Sequence, residues 1–521
     1  MRWNGRCCQR GEGAPGCRND ALQHGKCVEF RAPRKRAGGR RIAGALVAWM
    51  LLAGCASGGR PVPPEVAGTG DGQAGIEAWT TTSDHRLRLA PSRLAFDPVD
   101  GKADIDVDAA RKYQQMVGFG ASITDASAWL IQHRMDPAQR AALLRELFGR
   151  DGEGIGFDFA RLTIGASDFS RRHYSLDDPP GGVADPELRH FSIDANRDDV
   201  IPVTLQALEV NPGLKIMASP WSAPAWMKDS GSLVTGTLLP EYSDAFARYL
   251  VAFVEAYAGE GIPVFALTVQ NEPDHEPDDY PGMRLNAPAR ARFIADHLGP
   301  LRDERQPHLQ IFDWDHNWDR PEEPLAVLAD PGAAKHVSAV AWHCYNGNVA
   351  VQSLVRNRHP DKDVYLTECS GGDWEPVRSG GLTLQVRTLV IGATRHWARG
   401  VLFWNLALDQ AGGPNAGGCQ NCRGVVTIDS ASGAVTRTDD YYALAHASRF
   451  VRRDAWRIGS TATGHGIDNV AFANADDGSR VLIVSNSNAA SRRISVREGG
   501  RRFSHTLPAR SVTTFRWPAQ R

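Results

Sequence analysis

A chain of 521 residues with 42% apolar content is long enough for one large domain and a smaller one. Its formal net charge of −1 is unevenly placed, because residues 1–55 hold 11 Lys/Arg against 3 Asp/Glu and leave the remainder at −9. No basic field survives on that larger part, which argues against nucleic acid as a partner.

In chain order, the basic stretch Arg31–Arg41 precedes an apolar segment, Ile42–Ala53, that is too short to cross a bilayer as a stable helix. Residues 1–55 therefore read as a leader with a lipoprotein-type signal peptide. Its end, Leu52-Ala53-Gly54-Cys55, resembles a bacterial lipobox, with Cys55 as the acylated mature N-terminus. Ordinary cleavage near Ala56-Ser57 is the alternative. Either way an exported protein is expected, in the bacterial periplasm, on the outer membrane or secreted, with Cys55 as its one membrane contact. Cys7, Cys8, Cys17 and Cys27 lie upstream of any normal signal and take no part in the fold reading.

Residues 56–75 are rich in Gly and Pro and suit a flexible linker. Residues 76–110 contain short runs, Ala78–Thr82 and Arg86–Leu89, that read as strands. Over residues 111–441 the pattern becomes strand, loop, helix, repeated. The strand candidates are 118–123, 160–164, 214–218, 264–269, 309–313, 337–342, 363–367 and 400–404, with helix-like spacing at Pro137–Phe148 and Tyr242–Tyr257. Eight such units fit an α/β fold of the (β/α)8 barrel type. Residues 442–521 return to β-like runs at Val470–Phe472, Val481–Ser485, Arg493–Val496 and Val512–Trp517, separated by turn residues. This tail and the N-terminal strands together predict an appended β-sandwich, since an isolated hairpin would not hold in water.

Two glutamates carry the chemistry. Glu272 follows the apolar run Val264–Val269, and Glu368 ends the run Val364–Thr367, so both are placed at C-terminal strand ends, where barrel active sites lie. The sequence reading sets them nearly opposite each other around the ring. Hydrolysis of a glycosidic bond with retention needs two carboxyl groups roughly 5–5.5 Å apart, one protonating the leaving oxygen and one attacking the sugar. Spacing alone does not say which does which.

Several segments carry a resemblance: Gly118-Phe-Gly-Ala-Ser-Ile-Thr-Asp-Ala126, Ala218-Ser-Pro-Trp-Ser-Ala-Pro-Ala-Trp-Met-Lys228, Asn271-Glu272-Pro273, His343-Cys344-Tyr345, Thr367-Glu368-Cys369, and Trp404–Asp409 with Gly412–Asn415. From about residue 76 to the C-terminus the chain resembles glycoside hydrolase family 30, the glucosylceramidase group. The resemblance implies Glu272 as acid/base and Glu368 as nucleophile. It also implies a substrate site of Asp168, Trp221, Asn271, Trp404, Tyr345, Arg161, His343 and Asn415. Asn271 would bind the sugar 2-hydroxyl, Arg161 would lie beside Glu368, and Tyr345 would hydrogen-bond the nucleophile. No metal and no organic cofactor is implied, and the oligomeric state stays open.

The leading expectation is a β-glucosidase of the glucosylceramide type, acting on a glycoside, glycan or glycolipid. Alternatives are an endo-β-1,6-glucanase or a β-xylosidase or xylanase, and, from another class, a surface lipoprotein that binds carbohydrate without cleaving it. Plainer readings stand beside these. Asp125 caps a helix or touches sugar, His275-Glu276 belongs to a solvated loop, and Trp226 is core. Trp314, Trp318 and Trp374 are structural by default and rim residues otherwise. Cys369 reads as a thiol without bearing on the chemistry. Cys419 and Cys422 read as a local disulfide or two free thiols on the rim that meets the aglycone, rather than half a zinc site.

Overall fold

The computed structural model describes residues 75–97, 101–374 and 381–519. The segment read as a signal peptide, Cys55 and almost all of the segment read as a linker lie outside the described residues. Three strands come first, β1 (Ile76–Thr82), β2 (Ala90–Leu94) and β3 (Ile105–Gln115). The barrel strands follow: β4 (Gly118–Ser122), β5 (Phe159–Ile164), β6 (Lys215–Pro220), β7 (Val264–Thr268), β8 (Gln310–Asn317), β9 (Val337–His343), β10 (Asp363–Glu368) and β11 (Ala398–Asn405). Each of the eight strand candidates is one of them. They pair in parallel and close with β11 against β4.

These strands read as unbroken apolar runs because both of their faces are covered. Along β5, Phe159 points into the barrel and Ala160 out toward the helices, and along β6 Met217 and Ile216 divide the same way. Inside, Phe312 stacks on Tyr365 at 4.5 Å and Phe159 leans on Tyr365 at 5.7 Å. A Cβ at Gly400 would come within 2.7 Å of the Phe159 ring, so the narrow barrel floor needs glycine there. The helix predicted at Pro137–Phe148 forms over those residues, started by a capping box between Asp136 and Gln139. The one predicted at 242–257 runs Ser243–Gly259.

After the barrel come a small sheet of β12 (Ala407–Asp409), β13 (Val426–Ile428) and β14 (Val435–Arg437), then β15 (Trp456–Ser460), β16 (Ile467–Ala473), β17 (Arg480–Asn486), β18 (Arg492–Glu498), β19 (Arg501–Leu507) and β20 (Ser511–Trp517). The last six join β1–β3 in one nine-stranded sheet, ordered β19-β18-β3-β15-β16-β17-β20-β1-β2. Alternation splits its side chains between two cores. Leu482 and Val484 of β17 enter the sheet's own core, while Val481 and Ile483 pack on the barrel. The helix Asp439–Ser448 supports the same junction, with His446 between Thr514 Oγ1 and Thr81 Oγ1, 2.9 Å from each.

Some details differ from the sequence reading. Arg86–Leu89 is a turn, because His85 and Leu89 take positive φ of 56° and 47°, and the second strand starts at Ala90. The strand Ile105–Gln115 and the helix Asp439–Ser448 run across the boundaries read at residues 110 and 441. The strands that lead to the two glutamates, β7 and β10, stand three apart in the ring of eight with β8 and β9 between them, close to the nearly opposite placing read from sequence.

Candidate active site

Glu368 is the last residue of β10 and is buried. Glu272 lies four residues beyond the end of β7, not at its tip as the sequence suggested. The chain there leaves the ladder but stays tied, Asn271 N–H donating to Pro220 O at 2.8 Å and Glu272 N–H to Asp315 O at 3.1 Å. Glu272 itself has φ +46°, a left-handed conformation that turns its carboxyl inward at some cost in strain. His343, at the tip of β9, joins the two carboxylates. Its Nδ1 is 2.9 Å from Glu272 Oε1 and 3.8 Å from Glu368 Oε1, so those oxygens are at most about 6.7 Å apart, the sum of the two contacts. That limit lies at the bottom of the roughly 6.5–9.5 Å range of inverting pairs and admits the retaining spacing.

Beneath them lies a network that the sequence reading only partly foresaw. Arg161, fully buried on β5, donates through Nη1 to Glu368 Oε2 and through Nη2 to Asn271 Oδ1 and Asp315 Oδ2, both at 2.8 Å. Its guanidinium also lies over Trp221 and Trp404, 4.7 and 5.4 Å from the ring centres. Asp315, absent from the sequence expectations, is fully buried and accepts from five groups. Arg161, Thr268 and Ser219 donate to Oδ2, and His343 Nε2 and Thr367 Oγ1 donate to Oδ1. Burial would raise its pKa, but the Arg161 charge and the His343 hydrogen bond hold it well below the carboxylate range. A further carboxylate at a strand end was the available signal. The obstacle was local, since β8 bulges at Trp314–His316 and both Trp314 and Asp315 take positive φ.

Burial also opposes charge on His343. The nearby Glu368 charge and the hydrogen bonds to Asp315 and Glu272 nevertheless push its pKa up to about 10, so the ring is an imidazolium at neutral pH. Burial likewise raises the Glu272 pKa, but His316, 3.3 Å away, and His343 hold it well below the usual range. Glu272, His316 and His343 are close enough to face a common cation. An imidazolium offers no lone pair, however, and both His343 nitrogens already face carboxylates.

The other expected residues surround this centre. Trp221 and Trp404 stack 5.0 Å apart at 19°. Asp168 is buried beside them, and that burial, with the charges of Glu368 and Glu272, raises its pKa well above the carboxylate range. Asn271 has its Oδ1 on Arg161, and its amide nitrogen has no partner among the described residues. Tyr345 is 45% exposed and donates from its hydroxyl to Glu368 Oε1 at 2.9 Å. Asn415 lies on the loop after β12, its side chain 3.5 Å from Gly412 O, with no bond to either glutamate.

The plainer readings divide: those of Asp125 and Cys369 change, while the structural reading of Trp314 and Trp318 and the local disulfide at Cys419 and Cys422 hold. Thr124 caps the first helix, and Asp125 instead accepts hydrogen bonds from Ser170 and Tyr174. Trp314 and Trp318 are core, and only Trp374, 52% exposed, keeps a rim character. Cys369 is not a thiol, being bonded to Cys344, and Cys419 is bonded to Cys422. The second bridge packs on the Trp221 and Trp404 cluster. Its loop touches Asp168 and Asp279: Ala416 N–H donates to Asp168 O at 3.1 Å and Gly418 N–H to Asp279 Oδ2 at 3.2 Å.

The sequence profile of the glycosyl hydrolase family 30 TIM-barrel domain matches residues 116–451, and that of the family 30 beta sandwich domain matches residues 454–515. An endo-1,6-beta-D-glucanase of Neurospora crassa is 32% identical over 85% of this chain and 95% of its own. A Caenorhabditis elegans protein named "Putative glucosylceramidase 4" is 29% identical over 78% of this chain and 82% of its own. A solved endo-beta1,6-glucanase superposes with a TM-score of 0.80 at 32% identity, over 86% of this chain and all of that one (100%). With both domains matched in order, this chain belongs to glycosyl hydrolase family 30 and is a glycoside hydrolase built as a TIM barrel with a β-sandwich.

Proposed function

We propose that this protein hydrolyses β-1,6-glucosidic bonds of a glucan, by double displacement and with retention. The mechanism rests above all on one observation, the approach of both glutamates to a single His343 nitrogen. The choice of substrate follows the relatives. Those named endo-1,6-beta-D-glucanases are 32–33% identical over 80–86% of the chain, while the Caenorhabditis elegans relatives bearing the glucosylceramidase name are 28–30% identical over 73–85%. The glucan thus displaces the glucosylceramide expected from sequence. Export by the N-terminal segment suits a polymer met outside the cytoplasm. Among the described residues no helix is long and apolar enough to cross a membrane.

In the free site the shared proton rests on His343 and Glu272 is ionised. Transfer from Nδ1 to Glu272 Oε1 across 2.9 Å arms the acid and leaves a neutral imidazole whose Nε2–H still donates to Asp315 Oδ1. A Glu368 oxygen then bonds to the anomeric carbon as the glycosidic C–O bond breaks, and the leaving oxygen takes the Glu272 proton. In the second step water gives a proton to Glu272, its hydroxyl bonds to the anomeric carbon, and Glu368 is released. Asn271 faces the sugar 2-hydroxyl, and the Trp221 and Trp404 rings form the apolar side of the site.

Hydrolysis of a β-1,6-glucan, glucosylceramide, xylan and an aryl β-glucoside, with NMR of the first anomer formed, tests this reading. The glucan should be cleaved fastest and give the β-anomer first. Preference for glucosylceramide would overturn the substrate, and an α-anomer the mechanism. Glu272→Ala should cost about 10²–10⁴-fold on the glucan, the usual worth of general acid–base catalysis. It should spare the first step on an aryl glucoside whose leaving group needs no proton. Equal losses on both substrates would remove Glu272 from the acid role.

A further inference from the structure

We propose that the Cys344–Cys369 disulfide is a positioning element for the nucleophile, holding Tyr345 and Glu368 in register where their strands leave the sheet. The proposal rests on Glu368 as nucleophile. The β9–β10 ladder ends at His343 and Glu368, with a register shift just before that last pair. The next residue on each strand is a cysteine, and the two are bonded with Cα atoms 5.4 Å apart. That is close to the roughly 4.8 Å between neighbouring strands, so the bridge adds one covalent rung beyond the last hydrogen-bonded one.

What the rung aligns is chemical. Cys344 lies between His343, which contacts both glutamates, and Tyr345, whose hydroxyl donates to Glu368 Oε1 at 2.9 Å. Cys369 directly follows Glu368, and its carbonyl accepts from Trp404 N–H at 2.8 Å, linking this point to the sugar-site tryptophan. Tyr345 starts a loop and is 45% exposed, and the hydrogen bond from its backbone N–H is to Asn317 Oδ1 at 2.9 Å. Asn346 is tied as well, its carbonyl accepting from Trp318 N–H at 3.0 Å and its amide donating to Asp319 Oδ2 at 2.6 Å, so these bonds hold the loop to β8 and its exit, while the bridge alone ties it covalently to the strand that carries Glu368. The groups facing Glu368 are Arg161 from β5, His343 and Tyr345 from the end of β9, Glu272 beyond β7 and Asp168 beyond β5. Among them Tyr345 is the donor on the solvent side, and a donor to the charged form favours the ionised, attacking carboxylate.

The test is a double-mutant cycle on the full chain with an aryl β-glucoside. C344S/C369S should lower kcat about tenfold with little change in KM, since small misplacements of reacting groups cost rates of this size. It should also move the acid limb of the kcat/KM profile to higher pH. Tyr345→Phe should move that limb the same way, and adding C344S/C369S to Tyr345→Phe should cost little more. Unchanged kcat and pH profile in C344S/C369S, or full additivity with Tyr345→Phe, would overturn the proposal. If C344S/C369S does not fold, C344A/C369A, which also removes the bond but buries no extra hydroxyl, takes its place in the cycle, and an unchanged kcat and pH profile there sinks the idea. Azide rescue of Glu368→Ala reports separately on the underlying assignment.

Discussion

Glu368→Ala is expected to lower kcat on every substrate by on the order of 10⁴-fold or more, and azide to restore part of the turnover. In the double displacement proposed above, this carboxylate supplies the bond that makes the glycosyl intermediate. Arg161 holds Glu368 through Nη1, and the Tyr345 hydroxyl takes its other oxygen at 2.9 Å, so the side chain is presented in one orientation. Alanine leaves a hole of carboxylate size beside a guanidinium, and azide, small and anionic, fits both features. Attack by azide is a single displacement, so the product should be the α-glycosyl azide. Mass spectrometry and NMR of the product check this. A β-azide, or residual activity indifferent to azide, would mean that Glu368 is not the nucleophile.

Asp315→Asn is expected to destabilise the fold by about 3–5 kcal/mol, the usual cost of breaking a buried ion pair, and to remove most activity. Asn has the shape of Asp but only one accepting oxygen. Its amide must face either Arg161, Ser219 and Thr268 on one side or His343 and Thr367 on the other. The hydroxyls can rotate away, whereas the two cations cannot, so one of them loses its partner. The pH dependence follows with a definite sign. His343 has a folded pKa near 10, above its unfolded value of about 6.5, so its contribution is present below about pH 6.5 and is lost as pH rises toward 10. Asp315 is shifted downward, so its contribution is present above about pH 4 and fades as the solution becomes more acid. Denaturant titrations across pH should show both limbs in the native protein and a flatter curve in the variant. Coincident curves would show that Asp315 does not bind the cluster together.

The barrel was legible in the sequence because parallel strands covered on both sides read as short apolar runs, and all eight stand out for that reason. Glu272 and Glu368 were legible because each follows such a run. β19 was not: Arg501-Arg502-Phe503-Ser504-His505 is largely polar, as suits an edge strand. Asp315 was hidden by a bulge whose backbone angles leave no mark in composition. The Cys344–Cys369 pairing needed the register of β9 against β10, which brings the residues just past the two strand ends side by side and which composition does not reveal. The Cys419–Cys422 loop was read as facing the aglycone, yet its contacts with Asp168, Trp221 and Trp404 lie where the resemblance puts the sugar.

The pairing of β1 with both β2 and β20 bears on how the chain folds during synthesis. Ile76–Thr82 is among the first described segments made, yet one of its hydrogen-bonded neighbours, Ser511–Trp517, is among the last. Until that strand emerges, an edge of β1 and an edge of β17 stay open, a recognised hazard for pairing with other chains. The barrel strands β4 to β11 are all made earlier, so the barrel is able to close before the sheet is complete. Slow translation of the last forty or so residues would prolong exposure of those edges, and loss of the final strand would leave the first one without its partner on that side.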